Sequence, residues 1–161
     1  MLRRGKHAQL GRAGTGRRWR YRVSRTATAI GRFADALRSD LSLAGVIEPV
    51  ILSLSVVLDE LLANVVRHAP EARGPVHIRL QLRQGVLVVR LRHAADSFDP
   101  TEMPTPDPAQ SLAEARCGGV GIALVRAMTD EFTHDYRRGE NHIRIRMQMR
   151  QPREADTSPA S

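Results

Sequence analysis

One cysteine, one tryptophan and one lysine (Cys117, Trp19 and Lys6) are what this chain of 161 residues contains of three residue types that usually carry specific chemistry. A lone cysteine forms no internal disulfide, and with no Cys/His cluster around it a structural zinc site is not expected. Aromatic residues make up 4% of the chain, which argues against the stacking platforms on which single-stranded nucleic acid lies. No apolar run reaches the length expected of a membrane span, and no apolar-centred signal peptide opens the sequence, so a cytoplasmic location without membrane contact is expected. No internal repeat is present.

The formal net charge of +8 is unevenly placed. Residues 1 to 25 hold nine Arg or Lys and no acid, which leaves sixteen basic against seventeen acidic residues in the remainder. The ends separate from the middle on composition: residues 1–16 form a basic arm with four glycines and no apolar periodicity, expected to be disordered. Residues 151–161, small and polar with two prolines, read as a loose tail. A single domain is expected over 17–150.

Within that domain the periodicities alternate. Trp19, Tyr21 and Val23 alternate with Arg18, Arg20 and Arg22 as in a strand, and Ile30, Phe33, Leu37 and Leu41 mark a first helix. Val50, Ile51, Leu54, Val57, Leu58, Leu61, Leu62 and Val65 recur at the spacing of a core-facing second helix, with Pro49 in its first turn and Pro70 and Gly74-Pro75 ending it. Val76 to Arg83 and Val86 to His93 alternate about a Gln84-Gly85 turn and predict a hairpin, and Ile143, Ile145, Met147 and Met149 mark the last strand. Each strand has one apolar face, which predicts an α+β two-layer sandwich: a mostly antiparallel sheet with helices on one face.

Two segments carry chemistry. In Asp59-Glu60-Leu61-Leu62-Ala63-Asn64, Glu60 and Asn64 lie one helical turn apart and share a face, while Asp59 points about 100° away. A carboxylate can polarise an attacking hydroxyl, and an amide oxygen is a hard ligand for Mg²⁺. Alone, the pair reads first as the solvated stripe of an amphipathic helix. The second segment is Gly118-Gly119-Val120-Gly121, running straight into the apolar Ile122 to Met128. Glycines allow close backbone approach, and a helix start favours negative charge, so the junction can cradle phosphate. No Lys-Ser or Lys-Thr follows, so it is not a Walker loop.

In this order and at this separation, the two segments resemble the N box and G2 box of the Bergerat-type fold shared by gyrase and histidine kinases. With Val65-Val66-Arg67-His68-Ala69, Phe98-Asp99-Pro100 and Asp130-Glu131 added, the chain is similar over residues 17–150 to the small anti-sigma-factor serine/threonine kinases. That resemblance implies a histidine kinase/gyrase-like ATPase fold, with ATP and Mg²⁺ as cofactors and phosphorylation of a serine on an anti-sigma-factor antagonist protein. A sigma factor is the second implied partner, and a homodimer through the sheet is a third. It assigns Glu60 as general base, Asn64 as the magnesium ligand, and Gly118, Gly119 and Gly121 as the phosphate cradle. Thr101 to Arg116, with three prolines, would be the lid over the nucleotide, or else a surface loop.

One departure concerns adenine. Family members carry Asp-x-Gly-x-x-Phe-Asp-Pro at the end of the third strand, and the aspartate accepts a hydrogen bond from the adenine amino group. Here the segment reads His93-Ala94-Ala95-Asp96-Ser97-Phe98-Asp99-Pro100, so His93 takes the aspartate's position and Ala95 that of the glycine. A neutral histidine accepts one hydrogen bond where a carboxylate accepts several. Asp96 substitutes only if the turn is shortened. His68 either approaches a phosphate or meets the carbonyls of its own helix end, Asp99 is expected to cap local amides, and His134 and His142 receive no role. Three functions follow: a serine kinase of the anti-sigma type, a degenerate relative that binds partners without catalysis, and a basic nucleic-acid-binding module, against which the near-neutral core counts.

Overall fold

The computed structural model describes residues 16–68, 74–104 and 119–149. The basic arm, the tail, most of the proline-rich loop, Cys117 and Gly118 lie outside the described residues. Five strands and three helices run in the order β1 (Arg17–Val23), α1 (Ala27–Ser42), α2 (Glu48–His68), β2 (Val76–Arg83), β3 (Val86–Ala94), α3 (Gly119–Met128), β4 (Glu131–Arg137) and β5 (Glu140–Gln148), with a 3₁₀ turn at Pro100–Glu102. The sheet order is β1-β2-β3-β5-β4, every neighbouring pair is antiparallel, and the helices cover one face, as the alternation predicts.

Local chemistry explains most boundaries. Thr26 caps α1 by accepting the Ala29 amide, which satisfies one of the donors left free at a helix start. Gln84 and Gly85 both take positive φ, 49° and 71°, and close the β2–β3 hairpin in the twist-matched form. Arg138 and Gly139 do the same between β4 and β5, at 54° and 74°. β4 is not apparent in the sequence, because its core-side positions are Phe132 and His134, and the polar histidine masks the alternation.

The core lies between the sheet and α2. Leu54, Leu58, Leu61 and Leu62 of α2 are at most 1% exposed, and they meet Ile78, Leu80, Leu87, Val89, Leu91 and Ile145 from the strands. α1 adds Phe33, Leu37 and Leu41, and Phe33 meets Tyr21 edge to face at 5.1 Å while the Tyr21 hydroxyl donates to Asp40 at 2.8 Å. α3 closes the layer with Ile122 and Val125. α2 corrects one expectation: at 21 residues and a mean hydropathy of 1.8, it is long and apolar enough to cross a membrane by length and composition. Half of that stretch is buried inside the domain, so its apolarity is accounted for by the core.

A candidate nucleotide site between α2 and α3

The apolar face of α2 is fixed against the sheet, so the face carrying Glu60 and Asn64 turns toward the rim where α3 begins. The two segments meet there. A Cβ built on Gly121 would overlap the Glu60 carboxylate, with the Glu60 Cδ only 2.6 Å away, so the bare Cα is what lets α2 and α3 come this close. α3 starts at Gly119, which places Gly119 and Gly121 in its first turn and not in a preceding loop. Their amides are therefore among those a helix start leaves without an intrahelical partner, beside a carboxylate on the neighbouring helix.

One turn beyond Glu60, Asn64 is 4% exposed. Its Nδ2 has no partner among the described residues, and its Oδ1 takes only a long 3.5 Å contact from Arg67 Nη1. His93 lies at the end of β3, also 4% exposed, and its Nδ1 is likewise unpartnered among the described residues. Buried polar atoms without partners are rare, and two at one place mark a site whose ligand would satisfy them. Both residues line a small cavity with Leu61, Val65, His68, Phe98, Pro100 and Ile143. Its volume is about 10 Å³, room for roughly one water.

The cavity is narrow because Phe98 lies over it. The Phe98 ring stacks on His68 at 4.5 Å and 11°, so among the described residues His68 meets the ring across the cleft. Asp96 is exposed, and its contact to the fold is its backbone carbonyl, which accepts from Asn141 Nδ2 at 2.8 Å. The turn is not shortened, and of His93 and Asp96 only His93 lines the cavity. Burial above all, with Arg25 and His134 adding to it, lowers the His93 imidazole to about 4, so it is neutral near pH 7.

A polar clamp that the sequence did not reveal holds this end of the site. Asn141, fully buried on β5, accepts from the Phe98 amide at 3.0 Å and sits 2.9 Å from His134 Nε2. His134 Nδ1 lies 3.3 Å from Asp99, and Asp99 accepts from the Thr101 amide and hydroxyl at 2.7 and 2.6 Å, the local cap expected of it. Burial tends to raise the Asp99 carboxyl, but the Thr101 bonds and His134 outweigh it and hold it low. From α3, Arg126 donates to the carbonyls of Thr101 and Met103 at 2.7 and 2.6 Å. The available signal was an amide at a core-side position of an otherwise apolar strand face, Asn141 before Ile143, Ile145 and Met147.

A family model described as a histidine kinase-like ATPase domain matches residues 23–149. Among curated proteins, the chain is similar to the serine/threonine-protein kinase BtrW of Bordetella bronchiseptica, 38% identical over 96 residues that cover 58% of this chain and 67% of that one.

Two outcomes test the geometry. Because His93 is held neutral in the fold, protons bind the unfolded chain more readily between its ordinary value near 6.5 and about 4. Stability is expected to fall as pH drops through that window, and His93→Gln should flatten part of the loss in urea titrations at pH 7 and pH 4.5. Gly121→Ala should keep the fold to within about 1 kcal/mol, since the obstruction is the tip of a mobile side chain and alanine favours helix. A crystal structure of that variant should show the Glu60 carboxylate swung away from α3; an unmoved Glu60 would refute the close packing.

Proposed function

Because the chain belongs to the histidine kinase-like ATPase domain family, we propose that it is an ATP- and Mg²⁺-dependent regulatory protein kinase of the anti-sigma type. Its substrate is a serine on an anti-sigma-factor antagonist, and a sigma factor is the second partner in a cytoplasmic setting. The observation that carries this reading is the meeting of Glu60, one turn before the unpartnered amide of Asn64, with the glycine-bearing first turn of α3.

The residues present fit such a ligand at its phosphate end. Bound Mg-ATP supplies the phosphoryl group to be transferred. Asn64 would offer its amide oxygen to the metal, and the Gly119 and Gly121 amides, with Gly118 before them, would offer donors to the phosphates. Glu60 would take the proton of the attacking serine hydroxyl as the serine oxygen bonds to the transferred phosphoryl group and the bond to the departing ADP breaks, and the protonated carboxylate would return that proton to solvent after release. His93 presents one acceptor or one donor to a purine edge, depending on which ring nitrogen carries its hydrogen.

A second reading, a relative that keeps its partners and has lost efficient catalysis, is favoured by the purine end. His93 stands where the family carries aspartate, and the Phe98–His68 stack leaves room for about one water. A protein partner is consistent with α2, which leaves Leu52 and Val56 exposed one turn apart, and with Leu43 and Ile47 exposed just before it.

Calorimetric titration with Mg-ATP and Mg-GTP separates the two. The kinase reading expects weak but saturable ATP binding with little preference over GTP, and His93→Asp should tighten ATP by roughly tenfold or more, the worth of one buried hydrogen bond. Phosphorylation of an antagonist serine should fall about 10²–10⁴-fold in Glu60→Gln with partner binding intact. Absence of ATP binding in both wild type and His93→Asp would leave the non-catalytic reading standing. Full activity in Glu60→Gln would remove it as the base.

A further inference from the structure

The sheet face that carries no helix is dominated by arginine. On β1 it holds Arg18, Arg20 and Arg22, on β2 Arg79 and Arg83, on β3 Arg90 and Arg92, and on β5 Arg144 and Arg146. Register lines several of them up. Arg20 is directly opposite Arg79, Arg79 opposite Arg90, and Arg90 opposite Arg144, one continuous row across four strands. At about 4.8 Å between strands, the row spans roughly 14 Å.

Like charges placed directly across a ladder destabilise it, and such a row survives when something outside the fold compensates. Internal compensation is confined to one side. Arg144 pairs with Glu131, Arg92 with Glu140 at 3.0 Å, and Arg137 with Asp135 at 3.3 Å, all toward β4. Arg20, Arg79 and Arg90 are exposed and make no hydrogen bond or ion pair among the described residues. Beside Arg79 and Arg90 the twisted sheet forms a concavity of about 490 Å³, lined by those two with Arg92, Arg144, His77 and His142 and by one carboxylate, Asp135, which pairs with Arg137. Arg144 Nε is buried there without a partner among the described residues. Both histidines are depressed, by burial first and then by neighbouring arginines, as expected in a positive field.

We propose that this bare sheet face binds the phosphate backbone of double-stranded nucleic acid without sequence preference, as a second surface remote from the α2–α3 site. Two features select that occupant. Among the described residues the face has no exposed aromatic or large apolar side chain, only the half-buried Val86 and Val88, so it lacks the anchors on which protein interfaces centre and the platforms that stack bases. Interfaces with nucleic acid are polar and strongly positive, and a duplex presents about one charge per 1.7 Å, or roughly eight along the arginine row. The resemblance implies a homodimer through the sheet, but on this chain face-to-face pairing would set one arginine row against the other, which disfavours a second copy as the occupant.

The test uses the full chain and a fluorescein-labelled 20-bp duplex of arbitrary sequence, followed by anisotropy from 25 to 200 mM NaCl. Saturable binding is expected, with log K falling linearly against log salt. The triple substitution Arg20→Gln, Arg79→Gln, Arg90→Gln should lower that slope by about 3 and weaken binding at least tenfold at the lowest salt. Its melting temperature should equal or exceed that of wild type, because facing like charges are removed, which separates lost binding from lost fold. Arg32→Gln, an exposed charge on α1, should lower the slope by much less than one. Four results overturn the proposal: no saturable binding at 25 mM salt; a slope unchanged in the triple variant; displacement of the duplex by poly-glutamate at equal charge concentration, which would assign the face to an acidic protein; or a wild-type dimer that the triple variant dissolves.

Discussion

The approach of α3 to α2 at Gly121 is the constraint on which the candidate site depends. Two helices packed on one sheet face normally keep side chains between them, and here the seam contains a carboxylate on one side and a hydrogen atom on the other. Any larger residue at Gly121 pushes Glu60 aside. The same contact sets the free amides of the α3 start beside the face of α2 that carries Glu60 and Asn64, so a position in the helix packing decides which polar groups share the rim. Glu60 and Asn64 need no loop to hold them, since α2 is anchored by nine buried residues along its length.

The His93 end of the cavity is built differently. There the segment after β3 carries no regular structure beyond one 3₁₀ turn, and its position depends on side chains reaching in from β4, β5 and α3. Asn141 spends both of its amide groups on this segment, binding the Asp96 carbonyl and the Phe98 amide. Buried polar networks are worth most when fully satisfied, and this one is satisfied around Phe98, while His93 and Asn64, which line the same cavity, each keep an atom without a partner among the described residues. The contrast places the unmet hydrogen-bonding capacity on the cavity side, where a ligand would meet it, and the satisfied capacity on the side that holds the wall in place.

Charge is distributed by layer. Helices α1 and α2 carry Asp35, Asp40, Glu48, Asp59 and Glu60 against Arg32, Arg38 and Arg67, while the sheet face without a helix carries most of the arginines against Glu131, Asp135 and Glu140. Net charge averages over layers of different character, which is why it is a poor guide to what such a domain attracts.

Much of this protein is legible one residue at a time. Alternation along Trp19 to Val23, Val76 to Arg83 and Ile143 to Met147 determines strands and their buried faces, because a strand turns over every second residue. The three-and-four spacing in α2 determines that Glu60 and Asn64 share a face, and Gln84-Gly85 determines a hairpin. These are local properties of the backbone. What only tertiary structure decided are relations between distant segments: Asn141 binding a loop more than forty residues earlier, Phe98 lying on His68, and four arginines in one row. Strand order and register bring such residues together. Both are set by how all the apolar faces pack at once, which no single stretch of sequence encodes.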